Sequence, residues 1–354
     1  MLSALSGSLA PNTVDTYKSA LRSFFLYAAT VGLNPIEATE FDICHYLCYL
    51  AERGTVKMSS LQPYLSAINT YLQDIGLEPV AKGRLVTSTR HGLERMQYAL
   101  VVEPDEVALP APAAKAMHDL AVTLAATLSN RARTTSASVF LEQLKQLRAL
   151  LCCVLTFLTA SRPVSIVTLT HDDITLDLTV DTGLIVRRHY TKTARGELAD
   201  DRPGRFALTF QTSHFRDFII AMQAFAALRA RHMPHAQYFF QLPGDGFESP
   251  PDKNGPLLVP WMALALAAVQ VTPPDGSHYT PRSLRSGAAS ACEKAGIPRS
   301  TLEFLGGWCA GSTALAKHYI NPLIPATPAG RFFFAHLCAD DASLGTWQPT
   351  PVPH

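Results

Sequence analysis

Thr280-Pro281-Arg282-Ser283-Leu284-Arg285-Ser286-Gly287-Ala288-Ala289 is the stretch whose reading decides the fold. Thr280 suits an N-cap and Pro281 the first helical position, where a missing N–H costs nothing. A helix opening there runs to about Gly296, a residue type that stops helices. Arg282 and Arg285 are three apart and share one face of its first turn. Two guanidiniums beside a helix N-terminus form a strong anion site, and phosphate fits it best. Two solvated surface arginines are the other reading, and this segment alone does not separate them.

Three more segments do. Upstream lies Thr159-Ala160-Ser161-Arg162-Pro163-Val164-Ser165-Ile166. Downstream lie Leu305-Gly306-Gly307-Trp308 and Ser312-Thr313-Ala314-Leu315-Ala316-Lys317-His318-Tyr319. Pro163 suits the first position of a helix capped by Ser161 or Arg162. That puts Arg162 at a junction between helices, where it either satisfies loose carbonyls or faces an anion. In order and spacing these pieces resemble the tyrosine recombinase (phage integrase) family. Its catalytic domain carries an Arg at a helix junction, a Lys on a β-hairpin, a His-x-x-Arg on a helix, then His or Trp, then a nucleophilic Tyr. Each motif alone is weak; their order is fairly specific, and the resemblance covers most of the chain.

The resemblance implies a catalytic set of Arg162, Lys192, Arg282, Arg285, Trp308 and Tyr319. Lys192 lies in the loop Tyr190-Thr191-Lys192-Thr193-Ala194-Arg195-Gly196, with Arg195 as the fallback and a further DNA contact. In-line attack on a phosphodiester builds charge on the nonbridging oxygens, so catalysis is mainly positioning plus fixed positive charge. Arg162 and Arg285 would clamp those oxygens, with Arg282 as a third donor. Tyr319 would attack, giving a 3′-phosphotyrosine, and Lys192 would protonate the leaving 5′-oxygen. The covalent bond stores the phosphoester energy, so no metal or other cofactor is implied. Four positions depart from the family pattern. Arg282 replaces the usual His, and Trp308 stands at the second His position. Ser165 stands where a carboxylate often follows the first Arg. The Trp308–Tyr319 step is longer than usual, with Cys309-Ala310-Gly311 as the insertion.

With 47% apolar and 17% charged residues, the 354-residue chain has the composition of a globular protein with room for two cores. No apolar run is long enough to span a membrane, and no secretory signal opens the chain. Seven cysteines without a CxxC pair read as reduced, buried thiols of an intracellular protein, not as a metal site. The net charge of +1 counts against a nucleic-acid binder. Its distribution softens that: residues 187–205 hold six Lys and Arg against three Asp and Glu.

Apolar spacing predicts helices over residues 13–30, 40–52, 59–74 and 83–98, joined by short connections. Their order resembles the family's core-binding domain. Lys57, Ser59, Ser60 and Arg90 would there be backbone contacts to DNA, or else ordinary capping and solvated charge. Prolines at 104, 110 and 112 read as a linker over 101–114. Residues 115–140 read as a polar helix and 141–160 as a central apolar one. A period-two face at Ile174, Leu176, Leu178 and Val180, a turn at 181–183 and strands near 184–186 and 205–210 predict one small antiparallel sheet. A helix follows over 212–232. Phe332, Phe333 and Phe334 cannot all face one stripe of a helix, so residues 331–354 dock on a second subunit or pack on their own domain.

The expected fold is mainly α (α+β), a two-lobed DNA clamp. Residues 1–100 form a helical core-binding domain and 115–330 a mostly helical catalytic domain with a small antiparallel sheet. The expected function is site-specific DNA recombination or integration, of a mobile element. The Trp308 variant and the Ser-Leu-Arg-Ser-Gly-Ala-Ala string look more like eukaryotic transposon recombinases than bacterial ones. The expected partners are double-stranded DNA and further copies of the chain, monomeric when free and a dimer or tetramer on DNA. A type IB topoisomerase-like enzyme, an inactive DNA-binding protein of the same fold and a helical scaffold are the competing readings.

Overall fold

A computed structural model describes residues 11–54, 56–100, 105–131, 136–188, 206–248, 251–308, 311, 313–321, 323–324 and 326–338. The chain divides into two compact units, Met1–Glu103 and Pro104–His354.

Unit 1 contains α1 (Pro11–Val31), α2 (Glu40–Arg53), α3 (Gln62–Asp74) and α4 (Arg84–Leu100), with single 3₁₀ turns at Met58–Ser60 and Val80–Lys82. Local chemistry sets the ends of α2. The Thr39 N–H donates to Asp42 Oδ2 at 2.8 Å and the Asp42 N–H to Thr39 Oγ1 at 3.4 Å, a capping box. Gly54, at φ 63°, closes the helix in the left-handed conformation that glycine takes without steric cost. Phe24, Tyr46, Leu47 and Ile68 are fully buried, and Phe24 meets Tyr46 edge-on at 5.2 Å. The buried Asn69 accepts the Ala81 N–H at 2.9 Å, which ties the second 3₁₀ turn to α3. The cysteine expectation fails at one position here: Cys48 is exposed on α2, on the polar side of the helix.

Unit 2 opens with β1 (Asp105–Glu106), α5 (Ala111–Arg131), α6 (Ala137–Leu158) and α7 (Pro163–Val167). The strands β2 (Ile174–Leu176), β3 (Leu184–Arg188) and β4 (Phe206–Phe210) and helix α8 (Thr212–His232) follow. Helix α9 (Leu258–Ala268), β5 (Ser277–His278), α10 (Pro281–Lys294), α11 (Arg299–Gly306), α12 (Thr313–His318) and α13 (Pro328–Cys338) complete it. Helix α6 is the centre: every residue from 147 to 160 is buried, with α5, α8, α9 and α10 packed around it. The single helix read over 115–140 is in fact the body of α5 and the start of α6.

The sheet is antiparallel in the order β2-β3-β4, with Leu176 opposite Leu184 and Leu184 opposite Phe210. The expected strand face stops early. Asp177 Oδ1 accepts the Thr179 N–H at 2.8 Å, a local turn that competes with the ladder. Val180 is consequently exposed.

Residues 105–114 are ordered structure, not linker. Strand β1 pairs in parallel with β5, Asp105 opposite Ser277 and Glu106 opposite His278. The Leu109 N–H donates to the Ser283 carbonyl at 2.9 Å, Leu109 is fully buried, and α5 starts at Ala111. The prolines end the extended segment and open the helix.

Of the two readings of the chain's end, packing on its own domain holds for Phe333 and Phe334, while residues 339–354 lie outside the described residues. Phe333 and Phe334 are fully buried, with ring centroids 5.5 Å and 6.1 Å from that of Phe157 in α6. Phe332, the ring that does not fit the stripe, lies over α5, its centroid 4.8 Å from Lys115 Nζ. Two of the three phenylalanines therefore serve the core of their own unit. A chain ending at Ile324 loses two core phenylalanines, each worth roughly 3–5 kcal/mol. It is expected to lose the cooperative thermal transition of unit 2 by calorimetry. An unchanged transition would overturn the packing of α13 on α6.

Candidate active site

Helix α10 begins as its sequence dictates. The Arg282 N–H donates to Thr280 Oγ1 at 3.1 Å and the Thr280 N–H to Ser283 Oγ at 2.9 Å, with Pro281 in the first turn. Arg282 and Arg285 then part company. A three-residue step falls about 60° short of a full turn, enough at the edge of the core to send one side chain in and the other out. Arg285 is 1% exposed, while the Arg282 side chain is 48% exposed.

The inward arginine is a clamp on backbone. Arg285 Nη1 donates to the carbonyls of Ala160 and Gly306, each at 2.7 Å. Ala160 sits at φ 44°, a left-handed conformation that costs a non-glycine residue roughly 1–3 kcal/mol and here presents its carbonyl to the guanidinium. Gly306 is the last residue of α11. Its carbonyl lacks an intrahelical partner, and the negative end of the helix favours a cation. Gly307, at φ 67°, turns the chain out, and the Trp308 N–H closes back on the Glu303 carbonyl at 2.8 Å. A side chain at 306 is impossible, because its Cβ would lie 1.8 Å from the Trp308 ring.

Aromatic rings cover the clamp. Arg285 Cζ is 3.7 Å from the Trp308 ring centroid and 5.0 Å from that of Tyr319. The two rings meet edge-on at 5.1 Å. Arg282 Cζ lies 4.9 Å from the Tyr319 centroid. The half-buried Tyr319 follows directly on α12. Ser290 of α10, unnoticed in the sequence, holds its backbone: Ser290 Oγ donates to the Tyr319 carbonyl at 3.3 Å and accepts the Asn321 N–H at 2.8 Å. The buried Glu303 accepts the Gly311 N–H at 3.1 Å, tying down one end of the insertion before α12.

Arg282, Arg285, Trp308 and Tyr319 thus come together. Arg162 caps α7 as expected, two residues beyond the carbonyl that Arg285 holds. Lys192 and Arg195 lie outside the described residues. The ranking of the arginines differs from expectation: Arg282 lines the open cleft, and Arg285 sits behind the rings. That cleft, of about 290 Å³, is lined by Glu106, Arg282, Ser286, Lys317, His318 and Tyr319 among others. Lys317 and His318 were legible as neighbours of Tyr319. Nothing local marked Glu106, which lay in the presumed linker and stands 3.9 Å from Arg282 Nε.

In unit 1, Lys57 and Ser60 are exposed at the first 3₁₀ turn, which packs on α4. The side chain of Ser59 lies outside the described residues. Arg90 is engaged within its own unit: it donates to Gln62 Oε1 and lies 2.8 Å from His91 Nε2 and 3.6 Å from Glu94. Among the described residues no three His, Cys, Asp or Glu side chains gather as metal ligands. No described helix is long and apolar enough to cross a membrane.

Residues 3–74 match the phage integrase N-terminal SAM-like domain family. The chain resembles lambda integrase residues 75–356, solved as a dimer bound to a COC′ core site. The TM-score is 0.52 and the identity 16%, over 90% of this chain and 92% of that one. It resembles XerH, a site-specific recombinase solved on a palindromic difH substrate after cleavage. Here the TM-score is 0.52 and the identity 11%, over 94% of this chain and 78% of that one. At such identities the likeness is one of fold: a mostly helical chain with a small three-stranded antiparallel sheet. No curated protein matches the sequence. The chain thus carries an N-terminal phage integrase SAM-like domain match within a fold shared with lambda integrase and XerH.

The two arginines are expected to separate in stability. Arg285→Ala strands two buried carbonyls and empties the space beneath Trp308, a loss of roughly 2–5 kcal/mol. Arg282→Ala, at an exposed site, should stay within about 0.5 kcal/mol of wild type. Urea unfolding measures both, and equal losses would contradict the division between a buried clamp and an exposed cation.

Proposed function

We propose that this chain, with its phage integrase-type N-terminal domain and recombinase fold, cuts and rejoins DNA through a covalent tyrosine intermediate. The observation that carries this reading is the gathering of Arg282, Arg285, Trp308 and Tyr319 from three separated segments, with Arg282 and Tyr319 on an open cleft and Arg285 and Trp308 packed behind them.

In this reading a DNA phosphate enters beside Arg282. The Tyr319 ring turns off the guanidiniums to attack phosphorus, and Arg162, Arg282 and the newly uncovered Arg285 take the charge on the nonbridging oxygens. The Trp308 N–H is a further donor. Lys192 protonates the departing 5′-oxygen, leaving a 3′-phosphotyrosine and a 5′-hydroxyl. Unit 1 contacts backbone phosphates through Lys57, Ser59 and Ser60, and Arg195 adds a contact from unit 2. Arg90, engaged by Gln62 and Glu94, is a fourth such contact from unit 1 in this reading. Site-specific recombination for a mobile element, by two or four copies assembled on DNA, is the biological role this chemistry fits. An inactive binder of the same fold is the second reading, favoured by the covering of Arg285 and by an arginine where a histidine would serve as base.

Incubation with nicked duplexes, followed by denaturing electrophoresis, distinguishes the two. Wild type is expected to form protein–DNA adducts, and Tyr319→Phe to form none while binding duplex within about twofold of wild type. Arg285→Ala, assayed below its melting range, should slow adduct formation by about 10² to 10³. Salt-sensitive DNA binding by wild type, with no adduct on any nicked substrate, would leave the binder reading standing in place of the enzyme.

A further inference from the structure

The segment 105–109 is fastened to the start of the catalytic helix at several points. Strand β1 pairs with β5, two residues before the N-cap Thr280. The Val107 N–H donates to the His278 carbonyl at 3.2 Å and the Leu109 N–H to the Ser283 carbonyl at 2.9 Å. The Leu109 carbonyl oxygen presses so close to α10 that a Cβ on Gly287 would lie 2.0 Å from it. These contacts fix the backbone, and with it the place of one carboxylate. Glu106 Oε1 stands 3.9 Å from Arg282 Nε, with the two side chains 32% and 48% exposed. Glu106, Arg282 and Tyr319 line the same cleft.

A pair this long and this exposed contributes little to folding. Its consequence is local. The carboxylate engages the same guanidinium that lies 4.9 Å from the Tyr319 ring centroid, and it does so from within the space an incoming anion must occupy. Lys317 and His318 face that space from α12, so among the described residues Glu106 is the one anion in a cleft otherwise lined by cations and neutral groups. Glutamate and phosphate compete for one guanidinium, and like charges at this distance exclude one another.

We propose that Glu106 is a positioning residue for Arg282. It holds the guanidinium over Tyr319 while the cleft is empty and gives it up when a phosphate arrives, with the 105–109 strap and the bare Cα of Gly287 keeping the carboxylate in reach. The inference rests on the phosphate-handling role proposed above for Arg282, and it adds a competing anion to that site.

The test titrates the full chain with inorganic phosphate, followed by ³¹P line broadening, for wild type, E106Q, E106D, R282A and the E106Q/R282A double variant. Wild type should bind phosphate and R282A should weaken that binding. E106Q should bind about fivefold tighter than wild type, the effect of removing one unit charge near 4 Å under solvent-like screening. E106D, which keeps the charge, should stay within twofold of wild type. The double variant should match R282A within twofold, because Glu106 acts through Arg282. G287A, where it folds, should move in the direction of E106Q by displacing the strap. An E106Q change below twofold overturns the inference, and so does an equal gain without Arg282, which is simple charge repulsion. Wild-type adducts on nicked duplex beside either result confine the failure to Glu106. Absence of both adducts and Arg282-dependent phosphate binding overturns the function reading, and this inference with it.

Discussion

Burying a guanidinium costs several kcal/mol unless its donors find acceptors and its faces find cover. Arg285 finds both. Its Nη1 bridges the carbonyls of Ala160 and Gly306, and its planar face lies 3.7 Å from the centroid of Trp308. Three stretches distant in sequence meet at this one side chain: the α6–α7 junction, the end of α11 and the first turn of α10. Much of the nearby backbone is intelligible only through it. Ala160 takes a left-handed turn to offer a carbonyl, and α11 ends on a residue with no side chain so that an indole can lie across it.

The same arrangement divides labour between two arginines that look alike in sequence. The inner one is bound to backbone and covered. The outer one faces the cleft, with Glu106 on one side and the Tyr319 ring on another. For phosphoryl chemistry the division is useful. In the chemistry proposed above, an exposed cation can meet the incoming anion first, and a covered one already held by backbone joins it once the Tyr319 ring moves. Ser290 sets the tyrosine backbone against the helix that carries both arginines, so the spacing of Tyr319 and the two cations is held by one rigid element.

Unit 1 follows the same logic with simpler means. A capping box, a left-handed glycine and an aromatic pair assemble four helices around Phe24 and Tyr46. Its structure can persist while sequence drifts, because a core tolerates hydrophobic exchange provided volume and pattern are kept. The same tolerance accounts for a shared fold with lambda integrase and XerH at 16% and 11% identity.

The sequence by itself determined whatever is decided within a few residues. The cap at Thr280, the proline-opened helices at Pro163 and Pro281, the four N-terminal helices and the buried run ending at Leu158 all follow from caps, turns and periodicity. The order of Arg162, Arg285, Trp308 and Tyr319 was legible too, through its resemblance to a known family. Only the tertiary structure decided which arginine is buried, since that depends on a carbonyl 125 residues away in the chain. It alone turned a proline-rich stretch into a strap bearing Glu106, because a parallel pair with β5 leaves no local signature. It alone folded Phe333 and Phe334 onto α6, because a stripe of phenylalanines states that it must be covered and not by what. Local preferences act through the backbone of a single turn. Burial and charge pairing act through space, between segments whose meeting no short window contains.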